Sequence, residues 1–463
     1  MAGKILEYDV IVIGAGIAGC AVAAAFSRQG RRVLLIERSL REPDRIVGEL
    51  LQPGGVNALR DLGLADCLEG IDATPIEGYH LYWQDDEASF WFCDIDGRKP
   101  EGRSFHHGKF VSKLRDAVCS IPGVSLVEGT VTELLRDEVS SRVLGVVAVC
   151  STGDDQMEMF YAPLTVLADG SNSNFRSQFT SSKPKAQSRF WGLEIADARL
   201  PIPRYAHSVL GRGPPILMYP ISTYTTRILV DIPDPIFRDL GNSSAVRAYL
   251  QERVAPVVPN VMRPQLRLAI KSGRLRSMPN AWMPSTRNTT LGLIMVGDAS
   301  NMRHPITGSG MTVALKDAVL LASLLNPADI PHLNDSDAVL RAMRRFHWKR
   351  KTHSASLNIL AQALYLLFVS EDKNLAIMQR GFVRYVQDGE KRFAEPAWIM
   401  GGLTSNPFGL FYHFLSIAVY SIRLHLRQSS TLFGWILALG QSAGVLVSAL
   451  GIIWGPLVDE LRR

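Results

Sequence analysis

"YDVIVIGAGIAGCAVAAAFSRQGRRVLLIER", residues 8–38, is the stretch on which the fold turns. Tyr8–Ile13 is a short run rich in β-branched residues and reads as a strand. About Ala18–Gln29 is alanine-rich and reads as a helix, Gly30 stops it, and a second apolar strand ends at Glu37. Strand, helix and strand in this order predict a βαβ unit. Its turn holds Gly14, Gly16 and Gly19 at the spacing of a pyrophosphate-binding loop. Gly14 permits the tight turn, Gly16 lets the backbone approach a diphosphate, and Gly19 lets helix and strand pack closely. Glu37, 18 residues beyond Gly19, stands where a carboxylate accepts from a ribose hydroxyl. The unit predicts a dinucleotide site and leaves FAD and NAD both open.

Working outward, the 463 residues exceed the ~100–200 of an ordinary domain and predict two domains with a sizeable core. Fifty basic against 44 acidic residues leave a formal charge of +6, too mild to argue for a nucleic-acid partner. Cys20, Cys67, Cys93, Cys119 and Cys150 are widely spaced and form no CxxC pair, so neither a disulfide framework nor a metal site is predicted, and a reducing, cytosol-facing compartment fits. The opening "MAGKILEYDV" lacks the apolar stretch of a signal peptide. At the other end, residues 428–458 run for 31 positions without a charged side chain, well beyond the ~20 that cross a bilayer core. An earlier uncharged run, 406–422, has 17 residues and suits either a short span or a helix lying in the interface with Tyr and Phe as anchors.

Two later stretches select the cofactor. "APLTVLADGSNSNFR" (162–176) is a strand that ends in Asp169-Gly170 and is followed by an arginine. "LGLIMVGDASNMRHPITGSGMTVALKDA" (291–318) is a strand ending in Gly297-Asp298, a turn holding Pro305, Gly308 and Gly310, and then a helix start, whose N–H groups and dipole suit an anion or an electron-rich ring. A βαβ unit, a DG turn and a GD turn in this order resemble the single-component flavin monooxygenases of the para-hydroxybenzoate hydroxylase type, which implies FAD. The longer motifs "EPDRIVGELLQPGGVNALRDLGL" (42–64), "FHHGKFVSKLR" (105–115), "SMPNAWMPS" (277–285), "GDASNMRHPITGSGMTVALKD" (297–317) and "LNILAQALYLLF" (357–368) resemble the squalene monooxygenase, or squalene epoxidase, family over the whole soluble part of the chain.

The resemblance implies an α/β fold: a Rossmann-type FAD-binding domain of the para-hydroxybenzoate hydroxylase type, an interleaved mixed-sheet substrate domain and C-terminal membrane-associated helices. The flavin domain is expected at 1–75, 105–180 and 286–325, and the substrate domain at 76–104 and 181–285. A helical region lining the substrate pocket follows at 326–403, and the membrane-associated helices at 404–463. Carried over by residue, it places Glu37 and Arg38 at the adenosine ribose and Arg45 and Leu50 near the flavin. Arg115 and Val131 flank the dinucleotide, and Asp298 and Met311 stand at its ribityl and ring end. Tyr79, in "IEGYHLYW", matches the family's tyrosine near the flavin and orders the site through hydrogen bonds.

The implied reaction is epoxidation of squalene to (S)-2,3-oxidosqualene in sterol or triterpenoid biosynthesis. Dioxygen is captured as a flavin hydroperoxide, and the protein's task is to exclude water. No second GxGxxG follows another strand, so a separate nicotinamide domain is not visible in the sequence; the resemblance implies NADPH as electron source through a membrane-bound diflavin reductase. The implied location is the endoplasmic reticulum or microsomal membrane, with the catalytic body facing the cytosol. "RAMRRFHWKRK" (341–351) carries six basic residues and no acid, and suits anionic lipid, an acidic reductase face or plain solvation.

Three residues depart from the family pattern: Ser309 for glycine, Pro220 in "ILMYPIS" for glutamine, and Asn174 at a position often basic or polar. Pro220 removes an amide beside the expected cavity and admits an epoxidase of another isoprenoid or polyene. A lipid-binding flavoprotein reductase shares the same glycine stations.

Overall fold

A computed structural model describes residues 8–150, 156–211, 213–428 and 431–462. The opening segment read for a signal peptide, up to residue 7, and residues 429–430 of the long uncharged run lie outside the described residues. The βαβ unit forms as strand Val10–Ile13, helix Ile17–Ser27 and strand Val33–Glu37, with Gly30 at φ +81° just beyond the helix. The two strands pair in parallel, Val10 opposite Val33, and Leu164–Leu167 joins the other side, Val10 opposite Leu164. All the apolar side chains of Val10–Ile13 are buried, as expected of a parallel strand covered on both faces. The helix between them is small, apolar and buried on nearly every side, because it lies between this sheet and helix Gly310–Leu324.

This first sheet runs Gln156–Tyr161, Val143–Cys150, Val124–Arg136, Val33–Glu37, Val10–Ile13, Leu164–Leu167, Leu293–Met295. A second seven-stranded sheet runs Arg276–Trp282, Lys185–Ala196, Thr225–Pro233, Ile216–Pro220, Tyr205–Leu210, Gly78–Trp83, Asp86–Trp91. It is antiparallel except where Tyr205–Leu210 meets Gly78–Trp83 in parallel, so it is mixed and assembled from separated parts of the chain. One face of it packs on the helices of residues 243–272, and the other turns toward the cavity and the C-terminal helices.

That alternation settles where Pro220 points. Leu217 and Tyr219 line the cavity, Met218 belongs to the opposite core, and Pro220 closes the strand opposite Thr226. Pro220 is therefore not a wall of the cavity, and the doubt it cast on the substrate loses its geometric basis. A proline at a strand end leaves no ladder donor missing. Ser309 is equally benign: its φ is −89°, a value any residue adopts, and its hydroxyl meets that of Thr307 at 2.9 Å. The Asn174 amide caps the Asp169 carboxylate at 3.2 Å.

The C-terminal part is helical, with helices Ser336–Val369, Lys373–Gln387, Glu390–Met400, Pro407–Arg427 and Leu432–Arg462. Among the described helices, Ser336–Val369 and Ala438–Glu460 are long and apolar enough to cross a membrane, by length and composition. The first is a core helix, with 61% of its apolar window buried, against 33% in the second. The run 406–422, read as either a short span or an interfacial helix, forms helix Pro407–Arg427 but does not reach that hydropathy. Along the last helix Ala438, Ser442, Val445, Ala449, Ile452, Ile453, Pro456 and Glu460 are buried at three- and four-residue steps. Its outer face carries Trp435, Ile436, Leu439, Val447 and Trp454, exposed to between 44 and 70%. Apolar surface on both faces suits a helix seated on the protein and turned toward lipid.

The basic run 341–351 is divided by the helical period. Arg341, Arg344, Arg345 and Lys349 are exposed, whereas Arg350 is fully buried on Asp317 at 2.6 Å.

Candidate active site

A cavity with roughly 1480 Å³ of empty space out to its mouth lies where the loops of the first sheet meet the face of the second. The first sheet contributes Gly16, Gly170 and Asp298, the second Tyr79, Phe190 and Tyr219, and the helix start contributes Gly310 and Met311. The loops take their shape from glycine. Gly14 runs at φ +100°, and a Cβ there would stand 2.6 Å from the Ala168 carbonyl oxygen; a Cβ at Gly19 would stand 1.8 Å from that of Gly14. Gly16, Gly170 and Gly310 meet nothing within 4 Å, so bare backbone faces the cavity at all three stations.

Arg176 joins the DG and GD turns. Its Nε donates to the Ala299 carbonyl at 2.9 Å, and its Nη2 lies 2.9 Å from the carbonyls of Gly170 and Ser171 and 3.0 Å from that of Asp298. An arginine was visible after the DG turn, but the partners 122 and 123 residues away were not. Glu37 accepts from the Ala15 amide at 2.8 Å and pairs with Arg115 at 3.6 Å, while Arg115 Nε donates to the Ala15 carbonyl at 2.9 Å. These contacts bring Glu37 and Arg115 to the glycine turn. Arg45, Leu50, Tyr79, Asp298 and Met311 line the cavity with Gly16. Arg38 is exposed at the strand end, and Val131 is buried beside Ile11, Ile13 and Ile36 away from the cavity wall.

Tyr79 is buried, stacked on Phe90 with ring centres 5.3 Å apart. Its hydroxyl accepts from Gln52 Nε2 at 2.5 Å, and the same amide group donates to the Thr307 carbonyl at 2.6 Å. Burial holds the phenol well above its usual range, so it stays protonated. Gln52 was not singled out in the sequence, since its value lies in bridging residues 27 and 255 positions away.

Glu49, Arg227 and Tyr219 are a second group that sequence reasoning missed. Arg227 forks onto Glu49 at 2.7 and 2.8 Å, and the Tyr219 hydroxyl donates to it at 3.3 Å. Behind the Gly308 turn, His304 Nδ1 accepts from the Ile306 amide at 3.3 Å, leaving Nε2 to face Ser188 at 3.1 Å and Asp231 at 3.3 Å. Burial lowers His304 to about 3 and raises Asp231 to about 7, against hydrogen bonds from Ser188 and Asn280 that favour the carboxylate. His107, on the cavity wall, donates through Nδ1 to the Gly48 carbonyl at 2.9 Å; burial and nearby Arg45 lower it to about 4, so Nε2 is an acceptor near neutrality.

The stretch "LNILAQALYLLF" stands one layer behind the cavity. Leu357, Ile359, Leu367 and Phe368 are buried in the core, and Tyr365 stacks on His304 with ring centres 4.1 Å apart. Apolar residues at mixed helical spacing read alike for a pocket wall and for the core beneath it.

A squalene epoxidase family profile matches residues 161–439, and an FAD-dependent oxidoreductase profile matches residues 9–43. The squalene epoxidase of Aspergillus fumigatus is 47% identical over 422 residues, 91% of this chain and 87% of that protein. The chain belongs to the squalene epoxidase family. The mouse squalene monooxygenase is 39% identical over 99% of this chain and 79% of its own length. Among solved structures, the flavin-dependent brominase Bmp2 superposes with a TM-score of 0.71 at 17% identity, covering 90% of this chain and 99% of that one, which shows a shared fold.

The site of this squalene epoxidase family member fits FAD. Open glycine backbone lies on three loops, Glu37 stands at the end of the second strand, and the helix start at Gly310 points into the cavity.

Proposed function

We propose that the chain is an FAD-dependent monooxygenase that epoxidises squalene to (S)-2,3-oxidosqualene in sterol or triterpenoid biosynthesis. Membership of the squalene epoxidase family carries the reading, and the cavity supports it by joining a dinucleotide cradle to an apolar wall. Bound FAD supplies the redox chemistry and the activation of dioxygen. The backbone at Gly14, Gly16 and Gly19 takes the pyrophosphate, and Glu37 and Arg38 take the adenosine ribose. Arg115 and Val131 flank the dinucleotide, Arg45 and Leu50 approach the ring, and Asp298 and Met311 hold its ribityl and ring end. Tyr79 keeps the ring side ordered through Gln52 and the Thr307 carbonyl. Phe190, Leu217 and Leu229 keep water from the reacting alkene.

The two sheets correspond in this reading to a flavin domain and a substrate domain interleaved along the chain. Electrons come from NADPH through a diflavin reductase. The chain sits on the endoplasmic reticulum or microsomal membrane with its catalytic body on the cytosolic side, a reading that the exposed apolar face of the last helix supports. The test is FAD-loaded enzyme with a diflavin reductase, NADPH, labelled dioxygen and squalene in detergent, read by mass spectrometry. A labelled 2,3-epoxide is expected. A labelled product from another isoprenoid or polyene alone, or a saturated product without label, overturns the assignment.

A further inference from the structure

The last helix reaches the flavin loop through a chain of buried polar groups. Glu460 is 5% exposed, the one carboxylate on the buried stripe of the last helix. Its Oε1 accepts from Asn358 Nδ2 at 2.7 Å, and its backbone carbonyl accepts from Lys351 Nζ at 2.6 Å. Asn358 Oδ1 accepts from Arg303 Nε at 2.8 Å. Arg303, buried on the cavity wall, donates through Nη2 to Asn301 Oδ1 at 2.6 Å and through Nη1 to the Gly310 carbonyl at 3.3 Å. Asn301 lies near the beginning and Gly310 at the end of the turn that runs from Asp298 to the helix start, so one guanidinium ties the two parts of that turn together.

The charges point the same way. Arg303, Arg350 and Lys351 converge here, while Asp317 is committed to Arg350 at 2.6 Å and to His353 at 2.8 Å. A carboxylate is costly to bury, and a helix needing only apolar contact with the body has no use for one. At this place it joins Asp298 and Asp317 as an anion among these cations, and together with Asn301 Oδ1, which accepts from Asn358 Nδ2 at 3.2 Å, it holds the Asn358 amide in the orientation that turns Oδ1 toward Arg303.

We propose that Glu460 is a positioning residue for the flavin loop, acting through Asn358 and Arg303, so that docking of the C-terminal helix and binding of FAD strengthen each other. The proposal rests on the reading that the cavity takes FAD. Coupling of this kind is reciprocal: the factor by which a docked helix tightens FAD is the factor by which FAD tightens the helix. Binding at the membrane-facing surface and cofactor retention are thereby linked across the molecule.

The full chain in detergent, freed of FAD and titrated with it, provides the test through flavin fluorescence and hydrogen exchange of residues 438–460. In the unaltered protein FAD is expected to slow exchange in that segment. Glu460→Ala is expected to weaken FAD about 3- to 10-fold, the loss of one hydrogen bond's worth of bracing, and to abolish the FAD-dependent slowing. Glu460→Gln, whose side-chain oxygen still accepts from Asn358, is expected to retain most of both, and Leu450→Ser, on the exposed face, all of both. Unchanged exchange on FAD binding to the unaltered protein overturns the proposal without any variant. So does Glu460→Ala that keeps the original affinity and protection. Failure of the unaltered protein to bind FAD at all overturns instead the reading of the cavity.

Discussion

At the N-terminal turn the chain is shaped by backbone: Gly14 runs at φ +100°, and Gly19 leaves no room for a methyl group beside the Gly14 carbonyl. Along the C-terminal helix Leu432–Arg462 the backbone is regular, and the shape comes from side chains, with small and branched residues pressed on the body and large apolar ones turned outward. The difference teaches where each region is vulnerable. A turn with forbidden torsions fails at single positions, because only glycine satisfies them. A packed stripe fails by degrees, since each contact contributes a share and neighbours relax partly around a change.

The sharpest way to break the comparison is Gly19→Ala. Its Cβ would stand 1.8 Å from a backbone oxygen that cannot move without distorting the strand. The expected loss exceeds ~4 kcal/mol, and the protein should be recovered without FAD or not at all. Visible absorbance and far-ultraviolet circular dichroism check this. A yellow, folded variant would show the turn to be more yielding than its geometry implies.

The buried Asp231 and His304 pair extends the comparison to pH. Asp231, raised to about 7, contributes stability that is present below the ordinary carboxylate range and is lost as pH rises through 7. His304, lowered to about 3, contributes stability that is present above the ordinary histidine value and is lost as pH falls from there toward 3. The two slopes oppose each other between about pH 4 and 6.5. Asp231→Asn removes the first slope, so the variant should gain on the unaltered protein as pH rises from 4 to 7, by at most roughly 1.4 kcal/mol per unit. Thermal midpoints of both proteins at three pH values read it. A difference independent of pH would show that Asp231 is ionised throughout.

On the helical side, Ala449→Phe and Val447→Ser separate the two faces. Ala449 is fully buried, and overpacking there should cost about 1–3 kcal/mol of stability. Val447 is 70% exposed, and its replacement should leave the thermal midpoint in detergent unchanged while weakening sedimentation with vesicles by about 1 kcal/mol. Equal effects of the two on vesicle binding would mean that the buried stripe leaves the body when lipid is present.

The smallest effect is expected at Tyr79→Phe. Removing the hydroxyl loses one hydrogen bond from Gln52, which keeps the Thr307 carbonyl as a partner, while the stack on Phe90 stays. FAD should be retained and turnover should fall several-fold, for about 1 kcal/mol. Stopped-flow rates with the FAD content measured alongside separate these two quantities.

How far the site was legible follows from the same contrast. The glycine turn, Glu37 and the DG and GD stations could be read because each is a local pattern of strand, turn and helix. Arg176 was seen only as an arginine after a turn, and Glu49, Gln52 and Arg227 gave no signal of their own. Residues 357–368 read equally well as pocket lining and as a core helix, because burial against a ligand and burial against a core demand the same side chains, and their buried side chains pack in the core. Pro220 was expected beside the cavity, yet strand alternation turns it to the other face of the sheet.

The sequence by itself determined the βαβ unit, the dinucleotide-binding loops and the apolar character of the tail. Each depends on periodicity, forbidden torsions or composition within some thirty consecutive residues. Tertiary structure alone decided that Arg176 clasps its own turn to Asp298, 122 residues further along the chain, that Gln52 links Tyr79 to Thr307, and that Glu460 reaches Asn358 across 102 residues. A hydrogen bond depends on angstrom-scale placement of two groups, and nothing in the local chemistry of either records how the chain between them folds.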